Sequence, residues 1–110
     1  MPKTPEKKVK DRVVAELKKY GIYYFFPATG GFGRSGAPDI ICCWHGRFVA
    51  IECKAGKGQS TALQKREQER IAAAEGAVFE VREDNMEEFA AALNRMAVSF
   101  EDELWRMGEG

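Results

Sequence analysis

Pro38-Asp39 and Glu52-Cys53-Lys54 bracket an apolar, β-prone run. Two carboxylates with an ammonium nearby are the groups that metal-assisted hydrolysis of a phosphodiester needs. The run divides into Ile40-Ile41-Cys42-Cys43-Trp44 and Arg47-Phe48-Val49-Ala50-Ile51, separated by His45-Gly46. That pattern predicts a hairpin with a two-residue loop. Counting back from the loop, Trp44 faces Arg47, Cys42 faces Val49, Ile40 faces Ile51 and Asp39 faces Glu52. Directly opposed side chains share a face with Cβ atoms roughly 4.5 to 5.5 Å apart, and two hard oxygen donors so spaced can hold Mg²⁺ or Mn²⁺. Period-two alternation puts Lys54 on the face of Glu52 and sends Cys53 to the other side. A glycine bulge after His45 would instead shift the register by one residue.

The competing explanation is a surface salt bridge between Glu52 and Lys54. Against it, both faces of the hairpin are otherwise apolar: Ile40, Cys42, Val49, Ile51 and Cys53 on one, Ile41, Cys43, Phe48 and Ala50 on the other. Such strands are expected to be buried on both sides. Opposed carboxylates at the end of a buried hairpin repel and lose hydration, so they persist only with a positive partner. Lys54 offsets one charge, and a divalent cation would offset the rest.

The elements that position these groups can be read along the chain. Thr4 as N-cap, Pro5 at the first helical position and Gly21 as the stop delimit a helix with the apolar stripe Val9, Val13, Leu17 and Tyr20. Glu6, three residues before Val9, extends that stripe. It is either a first-turn partner of the helix dipole or a carboxylate aimed at the site. Ile22 to Phe26 is an aromatic strand ended by Pro27. A glycine-rich loop follows, in which the backbone at Gly33 and Gly36 can approach phosphates and Arg34 can grip one. It lacks the Lys-Ser/Thr and the helix of a nucleotide P-loop.

After the hairpin, a second glycine-bearing basic loop carries Lys57. Thr61 opens a helix running to Glu75 with Gly76 as its end, and the T-x-x-Q spacing makes Gln64 a capping-box residue, a site residue, or both. Ala77 to Arg82 is a further strand. Asp84 caps a helix whose apolar face is Met86, Phe89, Ala90, Leu93 and Met96, and a short terminal helix from Phe100 to Met107 would expose Phe100, Leu104 and Trp105. That apolar end is a candidate dimer contact. The order αβββαβ(α) gives an α/β fold, a mixed central sheet flanked by helices on both faces.

At 110 residues the chain is expected to form a single domain. No run approaches the roughly 18 apolar residues of a membrane span, and the Lys-rich start lacks the apolar stretch of a signal peptide. A soluble cytoplasmic protein is expected. Cys42, Cys43 and Cys53 show no C-x-x-C pair, so they read as buried small hydrophobes, with neither a disulfide framework nor a zinc site. His45, the sole histidine, falls in the turn. Formal charge is zero, but residues 83–110 carry eight acidic and two basic side chains. The rest is a basic body suited to phosphate binding.

With Pro38-Asp39 and Glu52-Cys53-Lys54, this order resembles the PD-(D/E)XK nuclease superfamily. Glu6, Gly36-Ala37-Pro38-Asp39-Ile40, Ile51 to Lys54, Thr61-Ala62-Leu63-Gln64 and the strand Gly76 to Arg82 look like a stand-alone VRR-NUC domain, the virus-type replication-repair nuclease. The resemblance implies that Asp39, Glu52 and the Cys53 carbonyl bind Mg²⁺ or Mn²⁺, that Lys54 orients the attacking water, and that Gln64 and Glu6 complete the site. It also implies a homodimeric, structure-specific endonuclease acting on branched DNA such as four-way junctions. The rival expectations are a flap or end-directed nuclease, a non-catalytic DNA-binding module, and a structural protein whose charges merely cap a sheet. Gly21-Ile22-Tyr23 has no following Tyr-Ile-Gly, so kinship with GIY-YIG nucleases is not indicated.

Overall fold

The computed structural model describes residues 3–28 and 36–109, excluding the side chains of 104–109. The elements run α1 (Pro5–Lys19), β1 (Tyr23–Phe25), β2 (Ile40–Trp44), β3 (Arg47–Cys53), α2 (Ala62–Ala73), β4 (Ala77–Val81), a 3₁₀ turn (Glu83–Asn85) and α3 (Met86–Glu109). The four strands form one sheet in the order β1-β2-β3-β4. The first two pairings are antiparallel and the β3–β4 pairing is parallel, with α2 as the crossover. Sheet and helices give the mixed α/β architecture expected.

The hairpin has the expected register, with Ile40 opposite Ile51, Cys42 opposite Val49 and Trp44 opposite Arg47. Both loop residues adopt left-handed backbone, His45 at φ 51° and Gly46 at φ 80°. That is the two-residue primed turn whose twist matches the strands it joins. No bulge intervenes, so the parity of the two strands is the one the sequence implied.

The two faces of the sheet differ. Val9, Val13 and Leu17 of α1 and Met86, Phe89 and Leu93 of α3 pack on one face, against Ile40, Cys42, Trp44, Val49, Ile51, Cys53 and Val81. Among the described residues the other face receives only α2, a twelve-residue helix with no buried residue. The expected burial on both sides therefore holds only in part: Ala50 is buried and Ile41 half-buried, but Cys43 is exposed and Phe48 is 45% exposed. A helix of that length spans about 18 Å, and the polar sequence of α2 has few apolar groups with which to cover a four-stranded sheet.

Local chemistry sets the element ends. Thr4 accepts from the Lys7 amide at 3.1 Å, and the left-handed Gly21 (φ 64°) lets the Ile22 amide return to the Leu17 carbonyl at 3.2 Å. At the end of α2 the left-handed residue is Glu75 (φ 69°), not Gly76. Gly76 is needed for a different reason: a Cβ there would stand 2.7 Å from Ile71 Cγ2.

Two further expectations change. Asp84 does not cap α3; the Asn85 carboxamide accepts from the Arg82 amide at 2.7 Å and donates to the Glu80 carbonyl at 2.8 Å. The helix then continues without a break to Glu109, because no glycine or proline interrupts it near residues 97–100. Phe100 is accordingly not an exposed end but packs edge-on against Trp44, with ring centroids 5.0 Å apart. Leu104, Trp105 and Met107 lie outside the described side chains.

Candidate active site

Asp39 stands one residue before β2, and Glu52 is the penultimate residue of β3. One oxygen of Asp39 accepts from the Cys53 amide at 2.8 Å, which pins the carboxylate across the mouth of the hairpin. Glu52 is 2% exposed, the one buried charged residue among those described. Its Oε1 accepts from Gln64 Nε2 at 3.1 Å, while its Oε2 is buried with no hydrogen-bond partner. Burial first, and the Asp39 carboxyl beside it second, push the Glu52 pKa up to about 8, against the opposing pull of Lys54. An orphaned buried oxygen beside a second carboxyl is a place for a proton or a cation.

Gln64 joins the groups. Its amide oxygen accepts from Lys54 Nζ at 2.9 Å and from the Thr61 amide at 2.8 Å, and its amide nitrogen donates to Glu52. Thr61 Oγ1 in turn accepts from the Gln64 backbone N–H at 3.1 Å. Gln64 is therefore a capping-box residue whose side chain also bridges the lysine to the carboxylate. Two donors at Oε1 and one acceptor at Nε2 fix the orientation of the amide.

The backbone around the pair is close-fitting. Gly36 has φ 77°, and a Cβ there would sit 2.5 Å from the Leu63 carbonyl oxygen and 3.0 Å from the Gln64 nitrogen. Pro38 is buried. On the far side, the loop after Lys54 is clamped by residues for which the sequence reading assigned no role. Arg82 donates to the Gly56 carbonyl and to Glu80, both at 3.2 Å, Glu83 accepts from the Gly56 amide, and Ser60 donates to Glu80 at 2.9 Å. Glu80 lies on β4 directly beside Glu52, and Arg82 is the first residue past the end of that strand. Their spacing was visible, but the parallel pairing that gives it meaning was not.

The remaining candidates are more dispersed. Glu6 is exposed rather than part of the buried stripe, though its charge still reaches Glu52 and Cys53. Lys57 is exposed on the clamped loop. Gly33 and Arg34 lie outside the described residues. The Cys53 thiol points into the core, where burial pushes its pKa up to about 12, and Cys42 is likewise raised to about 11. Cys43, on the open face, is exposed and departs from the expectation of three buried thiols.

The chemistry of the donors suits a hard cation. Among the described residues no three acidic, cysteine or histidine side chains converge on one point. Asp39, Glu52 and a main-chain carbonyl match Mg²⁺, which usually keeps several waters and takes only one or two carboxylates. Among the described residues no helix is long and apolar enough to cross a membrane.

The mixed sheet with its three helices, and an acid pair and lysine at the open end of its hairpin, have the form of a PD-(D/E)XK-like core. Over 91 residues the chain is 30% identical to a protein named "Putative nuclease p44" of Acyrthosiphon pisum secondary endosymbiont phage 1, an alignment covering 81% of this chain and 95% of that protein. The chain belongs to the family of that phage nuclease. No family model matches it.

Proposed function

We propose that this nuclease is a Mg²⁺- or Mn²⁺-dependent endonuclease of the VRR-NUC type that hydrolyses phosphodiester bonds in branched DNA such as four-way junctions, and that it acts as a homodimer. The observation that carries the metal-dependent reading is the orphaned Glu52 oxygen, buried beside Asp39 and bridged through Gln64 to Lys54. Asp39, Glu52 and the Cys53 carbonyl would hold the cation. When bound, it would lower the pKa of a water molecule and clamp phosphate oxygens.

The chain's own groups supply the rest. Lys54, held at the Gln64 oxygen, presents its remaining ammonium protons to the attacking water and to the charge that develops on the phosphate. Gln64 keeps the Glu52 carboxylate oriented, and the Cys53 amide keeps Asp39 turned across the strand ends. The basic body and the exposed Lys57 would meet the DNA backbone.

The test is cleavage of junction, flap, duplex and single-stranded DNA by the purified protein with Mg²⁺, Mn²⁺ or EDTA, alongside Lys54→Ala and Asp39→Ala. Cutting should require the cation and fall on the order of 100-fold or more in either variant. Cutting in EDTA, or full activity in both variants, would overturn the proposed site. A preference for flaps over junctions would shift the substrate to the end-directed reading, and a monomer in light scattering would remove the dimer.

A further inference from the structure

The open face of the sheet and the acid pair are one surface. Phe25 of β1 lies opposite Ile41 of β2, which lies opposite Ala50 of β3. In the next row Tyr23, Cys43 and Phe48 align in the same way. Ile41 is two residues after Asp39 and Ala50 two residues before Glu52, so alternation puts both rows on the face that carries the acid pair, the nearer row roughly 7 Å away. Phe25 is 47% and Phe48 45% exposed, and Tyr23 is 68% exposed. Aromatic rings are thus left in water on the face where a scissile phosphate would sit, which is costly unless something uses them.

They are also the walls of a concavity. A cavity of about 490 Å³ is lined by Phe25, Ile41 and Phe48 on the sheet, Ile71 and Arg70 on α2, and Pro38, the residue directly before Asp39. Its volume falls in the range of small-molecule sites. It is a pocket rather than the broad face, about 800 Å² per partner, that a stable subunit contact requires. Arg70, its side chain 56% exposed, places a guanidinium at the rim 3.6 Å from the carboxylate of Glu67, which lines the same cavity; so paired, its plane can still stack on a base. Apolar rings and the plane of a guanidinium for a base, with continuity to the acid pair through Pro38, together select the occupant.

We infer that this cavity receives the base of an unpaired nucleotide next to the scissile phosphate, stacked on Phe25 and Phe48. The inference rests on the nuclease site proposed above and specifies its substrate: DNA whose strand is splayed beside the cut. A fully paired duplex keeps its bases in the stack and cannot offer one to the cavity without unstacking it. Stacking on aromatic side chains is tolerant of sequence, since every base has a π-face. Selection would therefore be for structure and not for base identity.

Binding and cutting must be measured separately. The probes are a short oligothymidylate and a blunt duplex of equal length, titrated by fluorescence anisotropy in EDTA against the wild-type chain, Phe25→Ala, Phe48→Ala, their double variant and Phe25→Tyr. Oligothymidylate affinity should fall about tenfold or more in the double variant, duplex affinity should stay within about twofold, and Phe25→Tyr should bind as wild type. Equal loss on both probes, or no loss on oligothymidylate, would overturn the inference. So would a wild-type dimer that becomes monomeric in sedimentation when both phenylalanines are removed, which would make the face a subunit contact. Lys54→Ala, titrated in parallel, should keep the binding difference; metal-dependent cutting that survives in Lys54→Ala defeats the catalytic reading alone.

Discussion

Gly36 lies against the carbonyl of Leu63 so closely that no side chain fits between them: a Cβ on Gly36 would stand 2.5 Å from that oxygen. The segment leading to Asp39 and the helix carrying Gln64 meet at this point, so the spacing of the site depends on an absent atom.

Gly36→Ala should therefore cost about 1–3 kcal/mol in stability, from left-handed backbone and overlap together, and should also lower cleavage, because Gln64 has to move. Gly46→Ala is the matched control. It has φ 80° but nothing within 4 Å of the new Cβ, so it should lose stability and keep cleavage per folded molecule. Thermal melts with cleavage rates on the same samples check both.

Gln64→Ala removes the oxygen that holds Lys54 and the donor that orients Glu52 in one step. Cleavage at saturating DNA should fall roughly 10- to 100-fold. Thr61→Ala strips only the side-chain half of the capping box, so it should cost about 1 kcal/mol of stability and several-fold less activity than Gln64→Ala. Single-turnover rates with denaturation curves separate the two.

Glu52 predicts a pH dependence in the metal-free protein. Its folded-state pKa of about 8 lies above the ordinary value of 4.5, so the native state holds the proton more tightly than the unfolded chain. The associated stability is present in full below about pH 4.5 and is lost as pH rises toward 8 and beyond. In EDTA the melting temperature should fall as the pH is raised from about 5 to about 8.5, and Glu52→Gln should flatten that slope. Adding Mg²⁺ should restore the wild-type protein at the alkaline end and do little for the variant.

The end of α2 offers a pair of opposite effects away from the site. Glu75→Gly relieves a left-handed residue with a side chain and should stabilise by about 1 kcal/mol. Gly76→Ala should destabilise by about 1–3 kcal/mol, because its methyl meets Ile71. Neither should change the cleavage rate at 25 °C, which chemical denaturation and activity assays will show.

What could be read beforehand depended on how local the cause was. The register of β2 and β3 followed from two residues, His45 and Gly46, whose chemistry suits one turn type, and parity then grouped Glu52 and Lys54. Gln64 was legible because its capping role is set within four residues. The exposure of Cys43 and Phe48 was not, because their sequence context is as apolar as a buried strand's. The shortness and polarity of α2, an element outside the hairpin itself, leave that face open. Glu80 and Arg82 gain their clamping role from a parallel pairing across a crossover, and Asn85 rather than Asp84 makes the turn because its amide can both accept and donate. Such choices are made by partners distant in sequence.

The helix that delivers Gln64 owns none of the core. Its seat on the sheet is kept by part-buried hydrogen bonds at Gln64, Ser60 and Gln68 and by the contact at Gly36, whereas α1, the strands and α3 share the buried cluster. Such an element is the first expected to open locally. Warming or denaturant should lift α2 and disassemble the proposed catalytic arrangement before the rest of the chain unfolds, so loss of cleavage should precede loss of the sheet.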